Sequence, residues 1–212
     1  MSDLYEEKGY GGQGVGFGNN LGILVVDFQL GFTDPKFQMG GGEAIDAAVE
    51  QTARVVKIAR EKGIPVANCY VAYPGAKFAP YWKIPAVPRD LRRDSDASDL
   101  DERIVDHDYD YVFEKIGASA FFQSPLTTFL VKNRVDTLAV TGCVTSGCVR
   151  ASVVDSFQFG FRTMIVDDCC GDNAPQPHLD TLRDVGRRYA DVITADELIN
   201  HIMANNAGES DA

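Results

Sequence analysis

Three residues have side chains suited to covalent hydrolysis of an amide: Asp27, Lys115 and Cys148. A thiolate is the nucleophile. A neighbouring ammonium and a helix N-terminus lower its pKa, and a carboxylate takes the thiol proton and later passes it to the leaving amine. Each residue alone has a plainer reading. An Asp after a buried strand is commonly a turn former, a lone Lys is solvated, and free Cys is commonly an inert apolar filler. Their joint placement carries the weight, and that depends on the elements that hold them.

Leu21 to Phe28 (LGILVVDF) is a short apolar, β-branched run, expected as a strand buried on both faces, with Asp27 at its end. The spacing over 43–62 predicts a helix stopped by Gly63, and 64–71 reads as a second strand. Residues 111–115 form a third strand that ends on Lys115. Ser124 and Pro125 open a helix, as N-cap and first helical residue. A fourth strand at 137–141 leads into a helix that Gly160 ends. Strands at 162–166 and 191–194 alternate with helices at 179–190 and 196–204. This alternation predicts an α/β fold: a single-domain, doubly wound sheet of about six parallel strands in the order 3-2-1-4-5-6, with helices on both faces. The domain spans 21–204, between a Gly-rich N-terminal arm (1–20) and a tail (205–212). Ligands of such sheets bind beyond the carboxyl ends of the strands, near the switch in strand order. Asp27 and Lys115 fall at two of those ends, and Cys148 follows the fourth strand by a short turn. Cys143 competes as nucleophile but lies within or just after the strand, where packing decides; Cys148, after Thr-Ser-Gly and before a helical stretch, is favoured.

The segment 72–111 is long, proline-rich and irregular, which suits a functional loop or an oligomer contact. Trp82 and Lys83 in it are candidates for substrate contact, since an indole wall and an ammonium suit a small planar acid. A tryptophan packed on a neighbouring subunit is an equal alternative. Tyr73, Phe78, Tyr81, Trp82 and Ile84 would together form an apolar patch, so a homo-oligomer is expected. Arg89, Arg92 and Arg93 read as a solvated or interface patch.

The chain of 212 residues carries 20 basic and 31 acidic side chains, a net charge of −11. Such a balance repels phosphate backbones and anionic lipid, so neither nucleic acid nor membrane is an expected partner. No apolar run approaches the ~20 residues of a membrane span, and the polar, acidic start is unlike a signal peptide. Five cysteines, an odd number in mostly apolar segments, suit a reducing cytoplasm. No Cys/His spacing suggests zinc, and no metal or cofactor is expected.

The stretches LVVDFQLGFTDP, FEKIGASAFFQSPL and AVTGCVTSGCVRASVVDSFQFGF resemble the isochorismatase-like cysteine hydrolases, over nearly the whole chain. The Gly-Phe-Gly arm, FTDP, GDNAPQPH and YADV are similar to the branch that hydrolyses maleamate and N-carbamoylsarcosine. The resemblance implies a catalytic triad on Asp27, Lys115 and Cys148, a cis peptide at Val144–Thr145, and an oxyanion hole from the N–H groups of Thr145 and Cys148. It also implies a tetramer acting on a small molecule. The metal-binding histidines of nicotinamidases have no counterpart in VAYPGAKFAPYW. Relatives often carry Arg where this chain has Asn173, which makes Asn173 a candidate for facing the substrate. Maleamate, giving maleate and ammonia, is the first substrate expectation and N-carbamoylsarcosine the alternative. Vinyl ether hydrolysis, as in isochorismatases proper, and a non-catalytic scaffold are the competing classes.

Overall fold

Leu21–Val26 (β1) is apolar on both sides because both faces of its sheet are covered. Side chains alternate along a strand. Ile23 and Val25 join one core with Ile45, Val49 and Val56 of one helix and Leu198 and Ile202 of another. Leu24 and Val26 join the opposite core with Leu126, Leu130, Val153, Leu182 and Val185. The computed structural model describes residues 4–205.

The elements run, in chain order, α1 (Leu4–Glu7), β1, α2 (Leu30–Thr33), α3 (Glu43–Glu61), β2 (Val66–Val71), α4 (Ala86–Asp90), β3 (Tyr111–Lys115), α5 (Leu126–Lys132), β4 (Thr137–Cys143), α6 (Arg150–Gln158), β5 (Arg162–Gly171), α7 (Pro175–Gly186), β6 (Asp191–Ile193) and α8 (Ala195–Asn205). The sheet has six parallel strands in the order β3-β2-β1-β4-β5-β6, as expected. Helices α3 and α8 cover one face, and α5, α6 and α7 the other. The order reverses between β1 and β4, the place where a ligand crevice opens in this kind of sheet.

Several boundaries differ from the sequence reading, each for a local reason. β5 runs on to Gly171 because, after an irregularity in the pairing, Cys170 and Gly171 pair with Gly142 and Cys143 of β4. Cys169 and Cys170 are therefore buried strand residues in opposite cores, and both are free thiols. α7 starts four residues earlier than expected. Pro175 opens it, where a missing N–H costs nothing. α5 starts at Leu126, whose N–H is still capped by Ser124 Oγ at 3.2 Å. The arm includes one helical turn, α1, and docks through Val15 and Gly16 N–H groups on the Asp191 carboxylate and through Phe17 stacked on His201.

The segment between β2 and β3 has a small core of its own, in which Tyr73, Val87, Leu91 and Ala97 pack on Val71 at the end of β2. Gln29 stitches it to the sheet: its side-chain amide donates to the carbonyls of Val71 and Ala97 and accepts from the Val71 N–H. Arg89, Arg92 and Arg93 make exposed ion pairs with Asp90, Asp94 and Glu114, as a solvated patch does.

Candidate active site

The carboxyl ends of β1, β3 and β4 gather three side chains into one buried contact. Asp27 follows β1 in the left-handed region (φ 55°), a conformation that Asp tolerates better than most residues. Its N–H donates to the Cys69 carbonyl of β2 at 3.0 Å, and the Cys69 thiol donates to its Oδ1 at 3.8 Å. Lys115 is the last residue of β3 and is 1% exposed. Its Nζ lies 2.9 Å from Asp27 Oδ2 and donates to the carbonyls of Gly117 (2.9 Å) and Ala118 (3.0 Å) and to Cys148 Sγ (3.4 Å). Cys148 sits in a π-type turn, Thr145–Val149, between β4 and α6. Ser152 ties that turn to the Lys115 loop: its hydroxyl donates to the Cys148 carbonyl at 2.8 Å and accepts the Ala120 N–H at 2.9 Å.

The electrostatics correct one expectation. Burial pushes the Cys148 thiol up to about 12, the Asp27 charge adds to the rise, and the Lys115 ammonium only opposes it. The resting group is therefore a thiol rather than a thiolate. Burial also raises the Asp27 carboxyl above its usual range, against the charge of Lys115. A raised proton affinity is what a base needs to take the thiol hydrogen. For Lys115, burial works against the charge, but Asp27, Cys148 and Cys69 outweigh it and hold the group above the usual lysine range. It stays an ammonium.

The cis peptide is a second correction. It lies between Cys143 and Val144, one bond earlier than Val144–Thr145. The strand explains the offset: pairing continues to Cys143↔Gly171, two residues beyond the expected strand end, and the chain leaves the sheet at the next bond. Gly142, at φ 122°, is required just before it, since a Cβ there would stand 2.0 Å from the Val26 carbonyl oxygen. Within the turn, the Ser146 N–H donates to Asp172 Oδ2 (2.7 Å) and the Gly147 N–H to the Val144 carbonyl (2.9 Å).

The competing thiol, Cys143, is wholly buried and donates to the Asp27 carbonyl at 3.2 Å. Trp82 packs on the small core beyond β2, and its indole N–H donates to the Tyr73 hydroxyl (2.8 Å), which donates to the Ile116 carbonyl (3.0 Å) next to Lys115. Lys83 beside it is exposed and stands outside the triad's contacts. Asn173 is exposed, and its N–H donates to Asp172 Oδ1 at 2.8 Å. Among the described residues no group of three or more His, Cys, Asp or Glu side chains is placed to hold a metal ion.

Sequence reasoning missed Cys69 and the pair His178–Asp167, and it assigned Tyr73 to an exposed apolar patch, whereas the structure buries it in the small core beyond β2. His178 stood in GDNAPQPH, but its contacts depend on where α7 begins.

A family model described as "Isochorismatase domain" matches residues 22–197. The chain is 36% identical over 210 residues to a maleamate amidohydrolase of Pseudomonas putida, covering 95% of this chain and 98% of that protein. It is 33% identical to an N-carbamoylsarcosine amidase of Arthrobacter, over 96% of this chain and 78% of that one. A solved cysteine hydrolase from Pseudomonas syringae shares the fold, with a TM-score of 0.82, 20% identity, and coverage of 88% of this chain and 93% of that one.

Proposed function

This chain belongs to the isochorismatase family and is an amidohydrolase of it, and on that premise we propose that it cleaves the amide of a small carboxylate-bearing substrate, maleamate first, through a Cys148 thioester. One observation carries the reading: Lys115 Nζ touches both Asp27 (2.9 Å) and Cys148 (3.4 Å) out of reach of bulk water.

The steps follow from the three groups. Asp27 takes the Cys148 hydrogen as sulfur attacks the amide carbon. The carbonyl oxygen becomes an oxyanion, received by the N–H groups of Thr145 and Cys148 in the turn that Val144 opens; one such donor is worth about 2.7–4 kcal/mol. Asp27 passes the hydrogen to nitrogen and ammonia leaves. Water then gives one hydrogen to Asp27 and its hydroxyl to the thioester carbon; the carbon–sulfur bond breaks, Asp27 returns the hydrogen to sulfur, and the product acid leaves and gives its proton to solvent. Lys115 remains charged throughout and steadies whichever of Asp27 and Cys148 is the anion. No metal or cofactor enters this chemistry.

Maleamate leads because the relative bearing that activity matches over nearly all of its own length. N-carbamoylsarcosine is the second reading, on the likeness to the Arthrobacter amidase. Trp82, Lys83 and Asn173 are the proposed substrate contacts: Trp82 is tied through Tyr73 to the carbonyl after Lys115, Lys83 follows it in the chain, and Asn173 follows the Asp172 that holds the Cys148 turn. The protein is further proposed to be a cytoplasmic homotetramer. Exposed Phe78 (58%), Tyr81 (106%) and Ile84 (50%) on one loop support the assembly, and five free thiols suit a reducing compartment. An ammonia-release screen over small amides, ureides and carbamoyl acids tests the function. Turnover of maleamate that vanishes in Cys148→Ser is expected; release that persists in that variant overturns the thioester.

A further inference from the structure

A second chain of polar contacts lies directly behind the turn that carries Cys148. Asp167 Oδ1 is 2.8 Å from His178 Nε2, and His178 Nδ1 is 2.9 Å from Thr145 Oγ1. The carboxylate can only accept, so Nε2 carries a hydrogen; with the ring neutral, Nδ1 then accepts the Thr145 O–H. The three residues come from three elements. Asp167 lies on β5 where its pairing with β4 is irregular, His178 is in the first turn of α7, and Thr145 opens the π-type turn.

The connectivity is that of a hydroxyl activated for attack, but the nucleophile of this turn is the partly exposed Cys148. The Thr145 side chain is buried and bound to His178 Nδ1. The imidazole is 18% exposed and the Asp167 carboxylate 44%, so the chain runs from the surface inward and stops at the back of the turn. A β-branched side chain held by its hydroxyl has its χ1 fixed, and the backbone that bears it is fixed in turn. Asp172 clamps the next N–H, that of Ser146, from the same side. Segment 167–178 thus grips two successive residues of the turn while Lys115 and Ser152 hold Cys148 from the other side.

We infer that His178, with Asp167 behind it, is a positioning residue: through the Thr145 hydroxyl it aims the turn's main-chain N–H groups at the oxyanion, without touching substrate. This rests on the thioester reading above, and predicts a selective defect. Reactions of Cys148 that pass through a tetrahedral oxyanion depend on the relay, whereas simple displacement at carbon by the same sulfur does not.

Two reagents separate these cases without any assumption about the natural substrate. 4-Nitrophenyl acetate acylates the thiol through a tetrahedral oxyanion; iodoacetamide alkylates it with none. The ratio of the two rates is measured in the full-length protein and in Thr145→Val, His178→Leu and the double variant. Each single variant is expected to lower the acylation-to-alkylation ratio about ten- to a hundredfold, and the double variant no further than the worse single, because the two residues act as one chain. His178→Gln, which keeps an acceptor and an N–H, is expected to recover much of the ratio. Should His178→Leu fail to fold, the near-isosteric Thr145→Val still decides. An unchanged ratio overturns the inference, as does a parallel fall in both rates, which would mark a general loosening of the turn. Failure of the thioester reading shows separately, as acylation of Cys148→Ser at the wild-type rate.

Discussion

Lys115 Nζ stands 2.9 Å from Asp27 Oδ2 with both side chains at 0% exposure. The same nitrogen donates to the carbonyls of Gly117 and Ala118 and to Cys148 Sγ. One buried ammonium thus ties the carboxylate to the thiol and both to the loop after β3.

Removing the ammonium tests that contact. Lys115→Met leaves a buried carboxylate without its partner, and breaking such a pair costs about 3–5 kcal/mol. Activity should vanish and denaturant midpoints should fall. Adding Asp27→Asn should restore much of the stability and none of the activity. A double variant no more stable than Lys115→Met, by urea unfolding, would show that the ion pair is not what the single change breaks.

The thiol should react as a thiol. With Cys148 pushed up to about 12, the thiolate fraction grows across the whole neutral and alkaline range. The logarithm of the iodoacetamide rate should climb about one unit per pH unit from about pH 7 to 9, with no plateau. A plateau near neutrality would mean a resting thiolate, and burial would then have been outweighed by Lys115.

Alkali should also unfold the protein. Cys148 and Cys169 are both pushed up to about 12 from 9.0, chiefly by burial, and Cys69, Cys143 and Cys170 are raised well above the same value. Above pH 9.0 the unfolded chain releases thiol protons that the native state keeps, so stability falls with pH. The contribution is complete below that pH and disappears as pH rises through about 12. Melting temperature should drop steeply over this window, and Cys169→Ala, whatever its starting stability, should show a shallower slope. Parallel slopes would remove Cys169 from the account.

Cys148→Ser should abolish turnover with the fold retained, while Cys143→Ser should keep most of it. Cys143 only donates to the Asp27 carbonyl from inside the core, and a serine hydroxyl can make the same bond. Steady-state ammonia release decides, and comparable losses in both variants would return Cys143 to contention.

The alternation of strands and helices and the placement of Asp27, Lys115 and Cys148 at or just after strand ends were legible because each signal is local. β1 is uniformly apolar, Lys115 closes an extended run, and a Gly precedes a thiol at a helix start. The position of the cis bond was not, since it depends on how far β4 pairs with β5, a contact between distant segments. His178 was missed for a related reason. Its helix opens with Pro-Gln-Pro-His, and the buried positions that mark α7 as a helix, Thr181, Leu182 and Val185, come only later. The thiol pKa was misjudged because sequence shows the neighbouring charge but not the burial that outranks it.

The last expectation concerns how an acidic protein holds an acidic substrate. The chain carries −11, Lys115 is committed to Asp27 and Cys148, and Asn173 brings no charge. Trp82 is pinned through Tyr73 to the Ile116 carbonyl, which puts the loop that bears Lys83 beside the end of β3. Lys83 itself is exposed, so its ammonium is free to swing toward a carboxylate bound against the indole. Lys83→Met should therefore raise KM for an acidic amide more than it lowers kcat, the mark of lost uniform binding. A charge-assisted hydrogen bond is worth roughly 1.5–3 kcal/mol, so kcat/KM should fall on the order of ten- to a hundredfold. Neutral amides of the same shape should be nearly indifferent. Equal losses for charged and neutral substrates would mean that Lys83 does not read the carboxylate, and that main-chain N–H groups or a neighbouring subunit must.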